Sequence, residues 1–240
     1  MSDTLVFIPA WNEEENIPAV LDELCKELPD VDVLVVDDGS TDRTAELAHE
    51  HGAAVLSLGT NRGLPIGIAA GYRWARDHGY AYCGRVDADG QHPAAELKRL
   101  LAIVRAGRCD VAVGSRFVSG EGYEPYRYLP SPARRLGTAL LRRAMKVALR
   151  RPFADATSGL YAVNAAALPV LAEPFKTEAP EVEALLRLSA AGLRVDEVPA
   201  RMELRSGGVS KLRGRKAVKV TFTVIATLVA GRFLWMRRSH

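Results

Sequence analysis

The first half of the chain alternates short apolar runs with segments whose apolar residues recur at helical spacing. The run TLVFI comes first, and the segment after it places apolar residues on one helical face at Ile17, Val20, Leu21, Leu24 and Leu28. The runs VDVLVV, AAVLSL, YAYCGRV and DVAVG follow, separated by predicted helices after Ser40, over residues 64–78 and over residues 93–106. This alternation predicts an α/β fold with a mostly parallel sheet and helices on both faces.

The pattern changes in the second half. A loop rich in Gly, Pro and Tyr over residues 119–132 leads into a basic helix that ends near Arg151. A helix over residues 181–191, the strand LRVDEV and the polar stretch SGGVSKLRGRK follow, and a last helix ends the chain. The sequence therefore predicts an insertion, or flap, followed by a return to the sheet.

The composition is that of a folded protein with a substantial core. The chain has 240 residues, of which 48% are hydrophobic and 25% charged. We assign residues 1–212 to one domain, with residues 119–151 as its flap, and residues 213–240 to a C-terminal interfacial helix. The three cysteines are far apart in the sequence, and their odd number argues against a disulfide framework. The first residues lack the basic start of a secretory signal, so a cytoplasmic location is expected.

Charge is distributed unevenly along the chain. The net charge is only +3, but residues 125–154 carry eight Lys or Arg and no acid, and residues 201–240 carry ten against one acid. Such segments can bind nucleic acid, anionic lipid or a phosphorylated substrate. No nucleic-acid recognition motif or set of interleaved aromatic residues accompanies them, so we predict no nucleic-acid partner.

Two segments of the second half have the pattern of helices that lie on a membrane. On a helical projection of residues 135–150, basic residues occupy one side and apolar residues the other, which favours binding in the plane of an anionic membrane. An ordinary surface helix with its apolar face on the core is the alternative. The run VTFTVIATLVAG has 12 uncharged residues, short of the ~20 that span a bilayer. We expect a protein peripheral to the inner face of the cell membrane, with a membrane protein as a further partner.

Acidic residues follow three of the predicted strands. They stand in the segments PAWNE, DDGS and DADGQ, which begin at Pro9, Asp37 and Asp87. Ligands of parallel sheets bind just beyond the carboxyl ends of strands, so these segments are the candidate site. The alternative is local: helix caps at Asn12 and Ser40, and turns at the Asp-Gly pairs.

Asp87 and Asp89 are the strongest candidates for a metal site. Alternate residues of an extended segment point the same way, so both carboxylates enter one small volume. Their repulsion is relieved by a hard cation, and Mg²⁺ or Mn²⁺ is usually held by one or two carboxylates together with diphosphate oxygens. Gln91, at the next alternate position, adds a neutral oxygen. No G-x-G-x-x-G or G-x-x-x-x-G-K-[ST] pattern is present, which disfavours hydride transfer and P-loop chemistry.

Seven motifs together resemble one known family. In order they are IPAWNEEENI, VVDDGSTDRT, NRGLPIGIAAGYRWA, RVDADGQHP, VGSRF, DATSG and RSGGVSK. They are similar to those of the family-2 glycosyltransferases with a GT-A fold, and most similar to the dolichyl- or polyprenyl-phosphate sugar synthase branch. The resemblance runs from about residue 5 to residue 211.

The resemblance implies a role for each matching residue. The base and ribose of a nucleoside diphosphate sugar would be held by Pro9, Trp11, Glu13, Val36 and Asp38. The family's D-x-D corresponds to Asp87, Ala88 and Asp89, with Asp89 and Gln91 nearest the metal. The phosphates of donor or acceptor would be contacted by Arg116, Arg205 and Lys211. For Arg116, a structural ion pair is the alternative.

Glu181 and Glu183 lie where this branch places an acid that opens a helix beside the sugar. Glu183 matches that position better, although both acids would also suit a helix N-terminus on electrostatic grounds alone. A hydroxyl acceptor needs a base to remove its proton, whereas a phosphate monoester, with a second pKa near ~6, is already mostly anionic at neutral pH. The role of these acids therefore depends on the acceptor.

The sequence thus predicts an inverting, metal-dependent glycosyltransferase that moves a sugar from a nucleoside diphosphate to a polyprenyl phosphate. Asp89 would act through the metal, and Glu183 or Glu181 would serve the sugar. One alternative is an enzyme of the same fold that glycosylates a hydroxyl of a polysaccharide or small molecule. Another is a non-catalytic module that binds nucleotide sugars and recruits membrane partners.

Overall fold

The computed structural model of this chain describes residues 2–125, 146 and 152–203. Most of the predicted flap with its basic helix, the residues Arg205 and Lys211, and the C-terminal interfacial helix lie outside the described residues. None of the helices within those ranges has the length and apolar character needed to cross a bilayer.

Seven strands and six helices make up the described part of the chain. The strands are β1 (Thr4–Ala10), β2 (Asp32–Asp37), β3 (Ala54–Ser57), β4 (Tyr82–Arg85), β5 (Val111–Ser115), β6 (Tyr161–Asn164) and β7 (Val195–Pro199). The helices are α1 (Ile17–Glu27), α2 (Thr44–Glu50), α3 (Leu64–Asp77), α4 (Ala94–Arg105), α5 (Leu168–Leu171) and α6 (Pro180–Ala190). The helices predicted over residues 64–78, 93–106 and 181–191 are confirmed to within one residue at each end.

The strands form one sheet in the order β3-β2-β1-β4-β6-β5-β7. β6 runs antiparallel to both of its neighbours, and the other pairs are parallel. The predicted α/β class and mostly parallel sheet are confirmed. The sequence pattern did not predict β6, a strand of only four residues inside the sheet.

Helices cover both faces of the sheet, because the central strands are apolar at successive positions and must be buried on both sides. On one face, α3, α5 and α6 pack over a cluster that includes Phe7, Tyr72 and Tyr161. On the other face, α1, α2 and α4 pack over a cluster that includes Ile8 and Leu97. The described part of the chain therefore folds as three layers with the sheet in the middle.

The order of the strands creates a crevice at one edge of the sheet. From β1 the chain builds outward through β2 and β3, and it then returns to the opposite side of β1 with β4. Ligands of open α/β sheets bind at such a switch point, beyond the carboxyl ends of the strands. Because β6 is antiparallel, the loop before its first residue also reaches this edge.

At the opposite edge, Asp110 ties three strands together. Its carboxylate accepts hydrogen bonds from the backbone N–H of Arg194 at 2.8 Å, from Nη2 of Arg194 at 3.1 Å and from Nδ2 of Asn164 at 3.0 Å. The hydrogen bond from the Arg194 side chain is the main reason that the pKa of Asp110 is lowered to about 2. A lowered pKa in the folded state means that the ionised carboxylate stabilises the fold at neutral pH.

We predict that Asp110→Asn lowers the free energy of unfolding by about 1 kcal/mol at pH 7, a value discounted because Arg194 is largely exposed. The contribution of Asp110 is fully present above its unfolded pKa and is lost as the pH falls from about 4 towards about 2. Urea unfolding measured between pH 7 and pH 3 should show that the difference in free energy of unfolding between wild type and variant becomes smaller as the pH falls. Arg194→Met should show the same trend, and an equal gap at both pH values would contradict the assignment.

Candidate functional site

Most of the predicted site residues in the described part of the chain follow or end strands at the switch-point edge of the sheet. Glu181 and Glu183 instead open α6, and Glu181 is joined to this edge through Arg85. Pro9 and Val36 stand opposite each other on β1 and β2. Both side chains are buried beside the first turn of α3, where a Cβ at Gly67 would lie 3.6 Å from Cβ of Pro9 and 4.0 Å from Cγ1 of Val36. Their contact with the base or ribose of a donor stays a prediction. Trp11, just beyond β1, is 37% exposed and offers a ring on which a base can stack.

The loops after β1 and β2 are held together by side chain to backbone hydrogen bonds. Oδ1 of Asn12 accepts from the N–H of Thr41 at 2.8 Å, and the N–H of Asn12 donates to Oγ of Ser40 at 3.0 Å. The N–H of Glu13 donates to Oγ1 of Thr44 at 2.8 Å. Asn12 has a φ of 53°, a conformation that Asn tolerates better than most residues. The caps proposed for Asn12 and Ser40 are therefore replaced by a contact between two loops.

Asp38 organises the loop that precedes α3. Its two carboxylate oxygens accept from the N–H groups of Arg62 and Gly63, both at 2.7 Å, and its side chain is buried. The neighbouring Gly39 has a φ of 70°, and a Cβ there would lie 2.5 Å from the carbonyl carbon of Thr60. Only glycine fits this close approach of two backbones. Asp38 thus shapes the crevice wall, in addition to its predicted contact with the donor.

Asp87 and Asp89 follow β4 and are both partly exposed. Ala88 between them is buried at 4% exposure, but residues 88 and 89 lie in a turn, so the extended segment predicted for Asp87–Asp89 is not what positions the two carboxylates. The N–H of Asp87 donates to Nδ1 of His92 at 3.0 Å, and the N–H of Gln91 donates to Oδ1 of Asp89 at 3.2 Å. Both carboxylates are therefore partly open to solvent just beyond β4, on a backbone that these hydrogen bonds hold in place.

Arg85, the last residue of β4, joins Asp87 to α6. Its Nη2 donates to Oδ1 of Asp87 at 3.2 Å and to Oε1 of Glu181 at 2.9 Å, and its side chain is only 3% exposed. Burial raises the pKa of Asp87, but attraction to Arg85, and then to His92, outweighs burial and leaves the pKa below its usual value. Burial lowers the pKa of His92 despite the nearby acids. At neutral pH, Asp87 is ionised and His92 is neutral.

The loop before β6 closes the other side of Asp87. A Cβ at Gly159 would lie 2.7 Å from Oδ1 of Asp87 and nearer still to Oδ2. Glycine is therefore required for the carboxylate to sit where it does. This loop carries the DATSG motif, whose glycine is now explained by a contact with the D-x-D.

Arg116, just beyond β5, is bound to the same loop. Its Nε and Nη2 donate to the two carboxylate oxygens of Asp155, both at 2.7 Å, and Nη2 also donates to Oγ1 of Thr157 at 3.1 Å. Asp155 is fully buried while Arg116 remains 33% exposed. This bidentate pair is the structural alternative raised for Arg116, and the exposed part of the guanidinium still lies at the crevice edge. Its contact with phosphate stays a prediction.

The two acids of α6 have different surroundings. Glu181 contacts Arg85 and so belongs to the crevice. Glu183 is 6% exposed, and its carboxylate accepts from the N–H groups of Lys176 and Thr177 and from the guanidinium of Arg187. Glu183 therefore fixes the loop that enters α6. The geometry associates Glu181, rather than the better sequence match Glu183, with the D-x-D.

The oxygen donors of this crevice suit a hard divalent cation. Asp87 and Asp89 offer two partly exposed carboxylates, and Gln91 offers an amide oxygen two residues further on. The described residues hold no group of three or more His, Cys, Asp or Glu side chains that would enclose a metal by themselves. That arrangement fits Mg²⁺ or Mn²⁺, which take part of their ligands from water and diphosphate, better than a structural metal such as Zn²⁺.

Sequence reasoning missed Arg85, Asp155 and the contact of Gly159 with Asp87. Asp155 and Gly159 belong to DATSG, a motif to which the sequence alone assigns no role. Arg85 ends an apolar strand and has no local signal of burial, because its partners come from residue 87 and from residue 181, 96 positions further along. The N–H of Glu203 donates to the carbonyl of Gln91 at 3.0 Å, which brings the chain to this crevice two residues before Arg205.

Comparison with known proteins identifies the family. Residues 5–168 match the model of Glycosyl transferase family 2. Polyprenol monophosphomannose synthase from Mycolicibacterium smegmatis is 33% identical over 238 residues, covering 95% of this chain and 88% of that protein. Undecaprenyl-phosphate mannosyltransferase from Micrococcus luteus is 33% identical over 243 residues, covering 97% of each. The chain belongs to glycosyl transferase family 2 and is a glycosyltransferase, which confirms the predicted family and branch.

Solved structures confirm the GT-A fold. Glucosyl-3-phosphoglycerate synthase from Mycobacterium tuberculosis, crystallised with Mn²⁺, UDP-glucose and phosphoglyceric acid, has a TM-score of 0.65 at 21% identity and covers 95% of this chain and 78% of its own. Mannosyl-3-phosphoglycerate synthase from Rubrobacter xylanophilus has a TM-score of 0.67 at 16% identity, covering 99% and 76%. At such identities the likeness concerns the fold alone.

We predict that Gly159→Ala lowers glycosyl transfer by roughly tenfold or more, because the added methyl group displaces the Asp87 carboxylate. Gly114→Ala is the matched control, since its methyl group would meet the apolar side chain of Leu160. The control should lower the melting temperature with little loss of activity per folded molecule. Full activity in Gly159→Ala would show that the position of Asp87 is unimportant.

We predict that Glu183→Gln lowers the free energy of unfolding by about 3 kcal/mol, because it leaves the buried guanidinium of Arg187 without a carboxylate. Chemical denaturation at pH 7 measures the change. Glu173→Gln, an exposed acid in the same loop, should stay within about 0.5 kcal/mol of wild type. A stable but inactive Glu183→Gln would instead support the direct role predicted for Glu183 from the sequence.

Proposed function

We propose that this glycosyltransferase moves a sugar from a nucleoside diphosphate sugar to a polyprenyl phosphate at the cytoplasmic face of the membrane, with inversion at the anomeric carbon. The relatives named for polyprenyl-phosphate substrates match nearly the whole chain, which supports this acceptor. The proposed donor and divalent cation are supported by the chemistry of the crevice. The neighbour solved with Mn²⁺ and UDP-glucose has the same fold.

The observation that carries the proposal is that both acids of α6 are ion-paired with buried guanidinium groups. Glu181 is paired with Arg85, and Glu183 with Arg187. A general base must take up a proton, and protonation of either carboxylate would leave a buried guanidinium without its counter-charge. A phosphate acceptor needs no such base, because it is already an anionic nucleophile near neutral pH. The geometry therefore favours a lipid phosphate over a hydroxyl acceptor.

In this proposal, different residues of the crevice bind different parts of the donor. Trp11 would stack on the base, Glu13 and Asp38 would flank the ribose, and Asp87, Asp89 and Gln91 would hold Mg²⁺ or Mn²⁺. Such a cation, when bound, neutralises the charge that develops on the leaving diphosphate. Arg116, with Arg205 and Lys211 from the chain beyond residue 203, would contact the phosphates.

The membrane part of the proposal rests on the sequence. The basic amphipathic segment over residues 135–150 and the C-terminal segment over residues 213–240 would bind anionic lipid and bring the chain to its acceptor. A membrane protein partner would contribute to the same attachment. No nucleic acid is part of this proposal.

The decisive experiment is transfer of label from UDP-, GDP- and dTDP-sugars to undecaprenyl phosphate in detergent, with Mg²⁺ or Mn²⁺. We expect a lipid-linked product that is lost with EDTA and falls by at least a hundredfold in Asp89→Ala. Asp77→Ala, an exposed aspartate at the end of α3, should retain activity. NMR of the released sugar reports whether the anomeric configuration is inverted.

Two results would count against the lipid phosphate acceptor. Transfer to hydroxyl acceptors alone, or hydrolysis alone, would exclude it and would make Glu181 the candidate base. Product formed equally well in EDTA would exclude the proposed cation.

A further inference from the structure

Arg85 places a full positive charge inside the apolar layer of the sheet. It ends β4, and its register partners on the neighbouring strands are Phe7 and Tyr161. Its side chain is 3% exposed, so its charge is largely removed from water and must be balanced by nearby acids. Asp87 and Glu181 are those acids. Within the described residues, Nε of Arg85 has no hydrogen-bond partner, so the ion pairs of Nη2 dominate its interactions.

The same carboxylate serves two cations in this arrangement. Asp87 is held by Arg85 at 3.2 Å and is also a proposed ligand of the divalent cation. A metal bound to Asp87 would lie one carboxylate away from the guanidinium, so the two positive charges repel across a short distance. Glu181 opposes this effect, because it attracts the same Nη2 atom from 2.9 Å and compensates part of its charge.

We propose that Arg85 and Glu181 form a charge pair that sets how strongly Asp87 and Asp89 bind the divalent cation, with Arg85 weakening and Glu181 strengthening that binding. The free enzyme then holds the cation weakly, and firm binding requires the additional oxygens and negative charge of the donor diphosphate. Arg85 is in this sense a positioning and tuning residue rather than a catalytic one. The inference depends on the cation site of the proposed function.

The test is a Mn²⁺ titration of the full chain by isothermal calorimetry and by electron paramagnetic resonance, without nucleotide. Arg85→Met should bind Mn²⁺ about tenfold more tightly than wild type, and Glu181→Gln about tenfold more weakly. The double variant Arg85→Met/Glu181→Gln removes one charge of each sign and should return to near the wild-type affinity. Arg85→Lys keeps the charge and should also stay near wild type.

Saturating UDP or GDP should reduce the difference between wild type and Arg85→Met, because the diphosphate then dominates cation binding. Arg76→Met and Glu50→Gln are matched controls that remove one exposed charge from α3 and α2, and each should change the affinity by less than about twofold. Thermal unfolding identifies any variant that does not fold. If Arg85→Met does not fold, the Mn²⁺ affinities of Glu181→Gln and Glu50→Gln are compared instead, and only Glu181→Gln should bind more weakly than wild type.

The outcomes separate this inference from the proposed function. Unchanged or weaker Mn²⁺ binding in Arg85→Met, or unchanged binding in Glu181→Gln, overturns the charge pair while the Asp89-dependent site stands. Wild-type protein that binds no Mn²⁺ even with UDP or GDP overturns the cation site and the charge pair together. Mn²⁺ affinities in the expected order support the charge pair even if the acceptor is not a polyprenyl phosphate.

Discussion

The candidate site depends on the ion pairs that the buried guanidinium of Arg85 makes with Asp87 and Glu181. A charge inside the apolar layer of a sheet is tolerated only when opposite charges meet it there, and these are supplied by the D-x-D and by the first turn of α6. The pairing joins β4 to a helix almost one hundred residues later in the chain. Because Arg85 contacts both the apolar core and the D-x-D, a substitution at Arg85 would alter the packing of the core and the position of Asp87 together.

Several polar residues at the strand exits hold the loops of the candidate site together. Asp38 holds two backbone N–H groups of the loop before α3, and Asn12 joins the loops after β1 and β2. Asp155 fixes Arg116 by a bidentate pair. These contacts hold the crevice in shape before any ligand enters, which lowers the cost of ordering it during binding and reaction.

The surroundings of the acids connect the fold to the choice of acceptor. Both carboxylates in the first turn of α6 are ion-paired with arginines. The crevice is therefore better suited to neutralising and orienting a charged acceptor than to removing a proton from it. A nucleophile that is already anionic suits such a site. Membership of glycosyl transferase family 2 and the similarity to polyprenyl-phosphate sugar transferases agree with this chemical argument.

Strong local signals in the sequence determined much of this protein. Strand and helix alternation gave the α/β class, and motif order gave the family and the strand exits that carry the site, because apolar period and turn chemistry are encoded within a few residues. Only the tertiary structure decided that β6 is antiparallel, that Gly159 makes room for Asp87, and that Glu181 rather than Glu183 meets Arg85. Each of these depends on contacts between residues far apart in the chain, or on which face of a helix packs against its neighbours. Local patterns hold no information about such partners. For Arg85, for example, burial is possible only because Glu181, far along the chain, lies close enough to balance its charge.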